Sequence, residues 1–482
     1  MLHRRIHITY LLTVSAIALI ISSCASYNQQ VSGYYSNLRQ GNYEKAAKSL
    51  DNNKLLKKGR NRLLFLLERG KVCHLLHQWD SSNTYFNEAD LLIEDARTSA
   101  KDVIAGNLLN PMMKGYKAED FEKYLVHYYK ALNYLQLNEP EEAMVEARRI
   151  TLQTNAQEDK VGNKNKYSDD AFSLMMQGII YEKNGDINNA FIAYRNAADV
   201  YLQNNGSYYG IKMPLQLKKD LLRTAYQNGF MDELSRYENI LGMNYQKDEQ
   251  PAGGELIVFW ENGSAPVKVQ QDIWFSLIKN SGGFFFTDAT GAFTVPFDAS
   301  SYNGESSKLE DLRSFRVALP KYEAQAIRYQ GASLQLNSQS YPLEPAEDVN
   351  NLAFATLKER MLKELSSTLT RLAIKKLAEA AVRPKDVKDD PKKSAEEKKK
   401  DQKQKNQQEA LALGLQIFNF ASEKADTRNW QSLPHTIFYT RIPLEKGANP
   451  VSLQLNGVSS PQTPVTVNGN GGLQFWNVCT LQ

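Results

Sequence analysis

The sequence has little of two features that define many protein classes. It has three cysteines in 482 residues, which excludes a fold held by several disulfides. Its formal net charge is only +4, and the segment 383–408 alone carries ten Lys and Arg against six Asp and Glu. The rest of the chain is therefore close to neutral, which removes the main electrostatic support for nucleic-acid binding.

Catalytic motifs are also missing. No serine lies in a Gly-x-Ser-x-Gly elbow, no glycine-rich phosphate loop precedes a helix, and no set of His, Cys and carboxylates has metal spacing. Paired acids such as Asp169 and Asp170 fall in a predicted loop, where water solvates them. We therefore expect a protein that is not an enzyme and that needs neither cofactor nor metal.

One apolar run stands near the N-terminus. It extends from Ile8 to Ile21, follows Arg4 and Arg5, and ends at Ser22-Ser23-Cys24. The run is short for a membrane-spanning helix, and small residues at its end are typical of a cleavage site. An uncleaved anchor with a chance cysteine is the alternative.

The stretch Ile21-Ser22-Ser23-Cys24 resembles the lipobox of bacterial lipoproteins. That resemblance implies removal of residues 1–23, diacylation of the Cys24 sulfur, for example with palmitate, and acylation of the new amino terminus. Three acyl chains would hold the protein durably on a membrane. Ala25, rather than an acidic residue, follows Cys24, which by the same resemblance implies the outer membrane, facing the periplasm.

The stretch Ala171–Tyr201 predicts two antiparallel helices joined by a turn at Asn184-Gly185-Asp186. Small residues recur where the helices must pack closely, and larger residues fill the groove between them. The small ones are Gly178, Ala190 and Ala197, and the larger ones are Leu174, Tyr181 and Tyr194. This pattern resembles the tetratricopeptide (TPR) repeat, a helical hairpin that needs stacked neighbours to bury its apolar face.

Four further stretches predict hairpins of the same kind. They are Tyr34–Leu50, Leu63–Ile93, Phe121–Ile150 and Pro214–Tyr245. Turns are predicted at Gly41 in the first, Asn138 in the third and Gly229 in the last. Corresponding small residues at Ala46, Ser82, Ala143 and Ala190 are 36, 61 and 47 positions apart. A strict TPR array repeats about every 34 residues, so a generic helical bundle is the alternative. We expect a tether over residues 24–31 and a loop over Asn155–Asp170.

The sequence changes character at Pro251–Gly254, after which short β-forming runs predominate. The predicted strands are Glu255–Trp260, Gly283–Thr287, Phe293–Phe297, Phe315–Leu319, Ser333–Leu336, Ile437–Ile442 and Pro450–Leu455.

A long amphipathic helix is predicted over Leu352–Val382. It could pack across the sheet, lie on a membrane surface or form a coiled coil. The segment 383–408 is predicted to be a solvated linker or a frayed helical extension, and contact of its lysines with anionic lipid or lipopolysaccharide phosphates is the alternative. Another helix is predicted over Ala410–Lys424.

The densest cluster of candidate binding residues is Asp426, Arg428 and Trp430. Arg428 could clamp a carboxylate or phosphate, Asp426 could orient it, and Trp430 could stack on a sugar or peptide. The same residues also describe a structural corner. Lys268 could meet an anionic partner or be an ordinary surface lysine.

Three candidates lie on the predicted helices. Tyr128, Arg148 and Arg149 could line a ligand groove, with a solvated polar side as the alternative for the two arginines. His74 and His77, at i and i+3, could bind a metal or be structural.

The cysteines left after Cys24, Cys73 and Cys479, could form a disulfide or be separately buried thiols. From the sequence alone, neither the histidine pair nor the cysteine pair decides between its two alternatives.

Several motifs together resemble a family of uncharacterised bacterial lipoproteins with TPR-like helical repeats and a C-terminal α+β domain. They are FEKYLVHYYKALNYL at Phe121–Leu135 with Glu146-Ala147-Arg148-Arg149, ELIVFWENGSAPVK at Glu255–Lys268, and ADTRNWQSLP at Ala425–Pro434 with Leu444-x-x-Gly447. The resemblance implies a location and a layout, and no reaction.

We therefore expect an α+β multidomain protein: an N-terminal TPR-like α-solenoid over 32–247, then a smaller mixed α/β domain over 253–482 that contains the long amphipathic helix. The expected function is a lipid-anchored scaffold or assembly factor of the cell envelope, with a protein or peptide partner in the helical groove and no nucleic acid. The alternative is a cell-wall or surface-glycan binding protein, or a hydrolase, that uses the C-terminal domain.

Overall fold

The computed structural model describes residues 27–98, 111–161, 170–247, 250–281, 283–291, 293–297, 315–382, 394, 396–406, 423–458, 462 and 464–481. Cys24 with the lipobox and tether residues 24–26 lie outside these residues, as do residues 410–422 of the helix predicted over Ala410–Lys424. Within segment 383–408, residues 396–406 form an exposed helix.

The first half of the described chain consists of five helical hairpins. Their helices are α1 (Tyr27–Arg39) and α2 (Tyr43–Asp51), α3 (Arg62–Leu75) and α4 (Trp79–Thr98), α5 (Asp120–Gln136) and α6 (Pro140–Val161), α7 (Ala171–Lys183) and α8 (Ile187–Gln203), and α9 (Leu215–Gln227) and α10 (Met231–Leu241). The two helices of each hairpin contact one another, and each hairpin contacts the next. The predicted stacking of helical hairpins is therefore confirmed. A small β-ribbon, β1 (Ser207–Tyr208) with β2 (Ile211–Lys212), precedes the last hairpin.

The turns of the hairpins share one backbone device. Each contains a residue in the left-handed region, and φ at these residues lies between 57° and 74°. These residues are Gly41, His77, Asn138, Gly185 and Gly229. Glycine and asparagine adopt this conformation at little cost, which is why the sequence pattern located four of the five turns.

A small residue lies five positions after each of the first four turn residues. These residues are Ala46, Ser82, Ala143 and Ala190, and all four are fully buried. The predicted registration of the repeats, with its unequal spacing, is therefore confirmed. In the last hairpin the equivalent position is Leu234, a departure at the end of the stack.

Two predicted irregular segments are partly wrong. Residues 27–31 of the tether are the first turns of α1, which buries Tyr27 and Val31. Residues 155–161 of the predicted loop continue α6, which ends at Val161. Both segments are polar enough to suggest a loop. Once a helix has formed, however, each added residue gains one backbone hydrogen bond, so polar residues can extend it.

The described residues of the C-terminal part form three four-stranded sheets. The strands are β3 (Glu255–Asn262), β4 (Val267–Asn280), β5 (Gly283–Asp288), β6 (Thr294–Phe297), β7 (Phe315–Glu323), β8 (Ala332–Leu336), β9 (Gln339–Pro342), β10 (Glu344–Asp348), β11 (Thr436–Pro443), β12 (Gly447–Leu455), β13 (Val465–Gly469) and β14 (Leu473–Thr480). Sheet 1 has the order β10-β11-β3-β14, sheet 2 the order β13-β12-β8-β9, and sheet 3 the order β6-β5-β4-β7. All pairs are antiparallel except β3 with β14. All seven predicted strands are present, and β4, β9, β10, β13 and β14 were missed.

Strand β3 is covered on both faces. Leu256, Val258 and Trp260 pack into the core between sheets 1 and 2. Ile257 and Phe259 pack into the same core as the helical hairpins. Burial on both sides explains why β3 reads as an uninterrupted apolar run. One apolar core thus includes side chains from both parts of the chain.

The long helix α11 (Val349–Val382) packs against sheet 3, as one of the three alternatives predicted. Its Leu365, Leu369 and Leu372 share a core with Phe275 and Val317 of that sheet. Among the described residues, no helix combines the length and the hydropathy that a membrane span requires.

Candidate functional site

The predicted cluster around Arg428 lies at the junction of the hairpins with the C-terminal part. Arg428 is fully buried. Its Nε and Nη2 donate to the two carboxylate oxygens of Asp426, at 2.8 and 2.6 Å. Its Nη1 donates to Asn61 Oδ1 at 2.8 Å and to the Lys114 carbonyl at 3.1 Å. A guanidinium with these partners ties three chain segments together, which is the structural corner that the sequence left as an alternative.

Trp430 has no solvent-exposed surface. Its indole N–H donates to Ser432 Oγ at 2.9 Å, and its backbone N–H donates to Glu122 Oε1 at 2.9 Å. Its ring packs beside the stacked rings of Phe86 and Tyr129, whose centroids lie 5.8 and 5.9 Å away. The stacking face is therefore used inside the core and offers no surface to a sugar.

Lys268 is also buried, and its Nζ lies 2.9 Å from Glu119 Oε1 at the start of α5. Arg360 of α11 lies 2.6 Å from the other oxygen of the same carboxylate. Burial acts to lower the pKa of Lys268, but the Glu119 carboxylate outweighs it and the pKa is raised. Lys268 thus has an anionic partner within its own chain.

Tyr128 belongs to a buried group centred on Glu261 of β3. The Glu261 carboxylate accepts hydrogen bonds from Tyr128 at 3.3 Å, Tyr129 at 2.9 Å and Asn477 Nδ2 at 3.1 Å. It also forms an ion pair with Lys71 of α3, and neither of these two side chains is exposed. Burial raises the pKa of Glu261, but the charge of Lys71 and these hydrogen bonds reverse the effect, so the pKa is lowered.

A second charged group joins the later hairpins to sheet 1. Arg441 of β11 lies 2.7 Å from Glu182 of α7 and 3.1 Å from Asp220 of α9. Arg223 pairs with both of these carboxylates, at 2.7 and 2.8 Å. We call α3, α5, α7 and α9 the inner helices, because each sends a polar side chain to sheet 1. Their side facing that sheet is therefore occupied by the chain itself.

In the part of the chain that the structure describes, a cluster of helix residues has the elements of a metal site, and the sequence analysis did not predict it. Ligand atoms of Asp90, His127 and Glu146 all lie within 4.8 Å of one another. Lys130 Nζ lies 3.2 Å from Asp90 and 2.9 Å from Glu146. Arg149 also pairs with Asp90. Two carboxylates thus face two cations, and the lysine holds the position between the carboxylates that a metal would take. The residues come from three helices, so sequence spacing carries no signal of the cluster.

His74 and His77 do not share a helix face. His77 lies beyond the end of α3, at the left-handed turn position. The ring nitrogens of His74 lie 2.6 and 2.9 Å from the side-chain oxygens of Asn133 and Asn477. Both rings pack against Trp79, with centroids 5.1 and 5.0 Å away, so the pair has the structural role that the second alternative predicted. Cys73 and Cys479 are separate free thiols, of which Cys73 is buried, as the second alternative predicted, and Cys479 is only half-buried.

Arg148 and Arg149 lie at the outside of the stack. Arg148 is exposed, and the Arg149 side chain is 39% exposed, with Glu94 3.6 Å away. Large apolar side chains on the same two helices are exposed as well: Leu91 by 62%, Leu92 by 36% and Val145 by 43%. Arg149 pairs with Asp90 and Glu94, which precede and follow Leu91 along α4, and Val145 lies one helical turn before Arg149, so Leu91, Val145 and Arg149 are neighbours. We call these three residues, with Arg148, the outer surface.

A small cavity of about 190 Å³ lies between the α1–α2 turn and the end of β14. Its lining includes Arg39, Tyr43, Tyr329 and Cys479. Pockets that enclose drug-sized ligands usually measure about 300–1,000 Å³. This volume suits one amino-acid side chain or a few water molecules.

No protein-family model matches the sequence, and no curated protein matches it either. Among solved structures, a MamA fragment from Desulfovibrio magneticus RS-1 has 12% identity and a TM-score of 0.29, covering 44% of this chain and 91% of that one. The apo form of RapI has 12% identity and a TM-score of 0.32, covering 47% and 56%. A Rap protein complexed with competence and sporulation factor has 14% identity and a TM-score of 0.29, covering 45% and 55%. Likenesses at this level carry no argument about what this chain binds.

Proposed function

We propose that this protein is a lipid-anchored scaffold of a bacterial cell envelope. Acyl chains on Cys24 hold it at the periplasmic face of the outer membrane, and its helical hairpins bind a protein partner. The observation that carries the scaffold proposal is the stack of five hairpins, an architecture that presents long helical surfaces to partners. The n-region, the apolar run and the cysteine at the predicted cleavage position support the anchor.

The partner surface we propose differs from the groove expected from the sequence. The inner helices are covered by sheet 1 and tied to it by Lys71–Glu261 and Glu182–Arg441. A peptide entering between them would have to separate buried ion pairs, at a cost of several kcal/mol for each. We therefore place the partner on the outer surface instead.

The chemistry of the outer surface defines a class of partner. Leu91 and Val145 offer apolar area at the centre, and Arg148 is an exposed cation one turn from Val145. Such a surface suits an amphipathic helix or strand that places apolar side chains on Leu91 and an acidic residue on Arg148. A glycan-binding or hydrolytic site at Asp426–Trp430 has no comparable support, because Arg428 and Trp430 are buried.

In-cell photocrosslinking tests the proposal on the full-length chain. A photoreactive amino acid at Leu91 is expected to give a discrete protein adduct, and the adduct is expected to disappear when Val145→Asp and Arg148→Glu are added. Ile240 on α10, which is 47% exposed, is the matched control position and should not give that adduct. Identical adducts at Leu91 and Ile240, or an adduct that survives both substitutions, would refute the proposed surface.

A further inference from the structure

Sheet 3 has apolar side chains on both faces. On the inner face, Phe275, Phe286 and Val317 share a core with Leu365 and Leu369 of α11. Strand alternation sends the intervening residues to the opposite side, which we call the outer face. Near the base of β4 the chain itself covers the outer face, because Tyr322, opposite Lys268, belongs to the core of the hairpins and Gln270 accepts a hydrogen bond from Ala425 N. Among the described residues, no apolar core includes Trp274, Ile278 or Phe285 further along this face.

The strand register places three apolar residues side by side on the outer face. Ile278 lies opposite Phe285, and Phe285 lies opposite Pro296. Ile278 is 43% exposed and Pro296 is exposed. Trp274 lies on the same face, four residues before Ile278, and is 55% exposed. Phe285, between Ile278 and Pro296, is half-buried. Exposed apolar residues that adjoin one another in a row such as this one, unlike singly scattered ones, point to an interaction site.

The beginning of the described chain lies at the base of the strand that carries this row. Asn28 Nδ2 donates to the carbonyl of Lys268, the second residue of β4, at 3.0 Å. Cys24 precedes Asn28 by four residues, which span at most about 14 Å. From Lys268 to Ile278, β4 rises about 33 Å. Lipid chains on Cys24 would therefore hold the base of β4 close to a bilayer, and the apolar row lies further along the same strand.

The charges of the outer face indicate how it would meet lipid. Asp272 of this face is paired with Arg316 at 3.1 Å. Lys279 lies over the Phe284 ring, and strand alternation places both on the inner side of the sheet. No cluster of lysines or arginines stands beside the row in the described strands of sheet 3. Attraction to anionic headgroups is therefore not the source of binding. An indole ring next to aliphatic and aromatic side chains suits the boundary between headgroups and acyl chains.

We propose that the outer face of sheet 3 lies on the lipid bilayer, with Trp274, Ile278 and Phe285 inserted at the level of the headgroups. This inference rests on the proposed lipid anchor at Cys24, which would supply the main attachment. The apolar row then fixes the orientation of the protein on the membrane. The binding depends on apolar contact, so it takes zwitterionic and anionic lipid alike and is insensitive to salt.

Quenching of Trp274 fluorescence by acrylamide tests the insertion. The acylated full-length protein is reconstituted on phosphatidylcholine vesicles, with or without phosphatidylglycerol, and the Trp274→Phe variant isolates the signal of Trp274 from the other four tryptophans. The expected result is a severalfold drop in Trp274 quenching on both kinds of vesicle. Equal quenching with and without vesicles would overturn the proposal. Protection of Trp274 from acrylamide that increases with protein concentration in the absence of lipid would also overturn the proposal. That result would identify a second copy of the chain as the occupant of the outer face.

A second measurement separates this inference from the anchor itself. The chain from residue 25 onward, which lacks the acylation site, is tested for partition onto the same vesicles. Ile278→Ser and Phe285→Ser are each expected to weaken partition about tenfold, and Ile240→Ser on α10 is the matched control. The inference fails if Ile240→Ser weakens partition as much as Ile278→Ser and Phe285→Ser do, or if none of the three substitutions changes partition. This conclusion holds whether or not Cys24 is acylated in the native protein. If Cys24 is not acylated but the two variants lose partition, the inference stands and the anchor fails.

Discussion

Lys71 on α3 and Glu261 on β3 form an ion pair in which neither side chain reaches solvent. The lysine belongs to the helical hairpins and the glutamate to sheet 1, 190 residues further along the chain. Separating the two parts would expose the apolar core they share and leave these charges without their partners. The hairpins and sheet 1 therefore stabilise each other.

Lys71→Met is expected to destabilise the protein by about 3–5 kcal/mol, because it leaves the Glu261 carboxylate buried without its cation. The double variant Lys71→Met with Glu261→Gln should recover a large part of the loss. Urea denaturation followed by far-ultraviolet circular dichroism measures both. A double variant as unstable as the single one would show that charge burial is not the cause.

Gly178→Ala is expected to cost about 1–3 kcal/mol. A Cβ at Gly178 would lie 2.5 Å from the Tyr194 ring, in the tight crossing of α7 and α8. Gly33 in α1 is the matched control, since a Cβ there meets nothing within 4 Å. Gly33→Ala should stabilise the protein by about 0.5–1 kcal/mol, because alanine favours the helix. Thermal unfolding of both variants measures the contrast, and a shift of the same sign in both would contradict the close packing.

His74 is expected to make the stability of the protein depend on pH between about 6.5 and 4. Burial, and then the charge of Lys71, lower its pKa in the folded state from 6.5 to about 4. A lowered folded pKa gives stability that is complete above 6.5 and is lost as the pH falls towards 4, on the order of 3 kcal/mol in all.

His74→Gln removes that titration, so the difference in unfolding free energy between parent and variant should shrink as the pH falls through this range. His77→Asn is the control, because His77 is exposed and asparagine tolerates its left-handed backbone. The assignment to His74 is wrong if His77→Asn flattens the pH dependence and His74→Gln does not.

Arg428→Lys is expected to destabilise the protein by about 2–4 kcal/mol although the charge is kept. The planar guanidinium bonds both oxygens of Asp426 and reaches Asn61 and the carbonyls of Arg60, Pro111 and Lys114. A lysine ammonium cannot reach these positions together. Chemical denaturation measures the loss of unfolding free energy. Stability equal to the parent's would show that the planar geometry of the guanidinium is unimportant.

Local chemistry explains what the sequence predicted well. Gly41, Gly185 and Gly229 marked turns because a left-handed backbone favours glycine. Ala46 and Ala190 marked tight crossings because only small side chains fit there. The strands rich in β-branched and aromatic residues, such as β3 and β11, were also recognised.

Long-range contacts explain what the sequence did not predict. The residues from Asp170 to Ile180 are all buried, so other elements must pack on every side of α7. The sequence does not show that sheet 1 is one of these elements. Strand β14 was missed because LQFWNVCT lacks a regular alternation and follows a glycine-rich turn. Arg428 and Lys268 were recognised as important cations, yet their partners Asn61 and Glu119 lie far away in the sequence.

The central claim, that acyl chains on Cys24 hold this scaffold at a membrane, is tested most directly by mass spectrometry of the N-terminal peptide of the protein purified from its native membranes. The account predicts a chain that begins at Cys24 and carries fatty acyl groups on its sulfur and its amino group. A chain that retains residues 1–23, or one that begins at Cys24 with a free thiol, would contradict it.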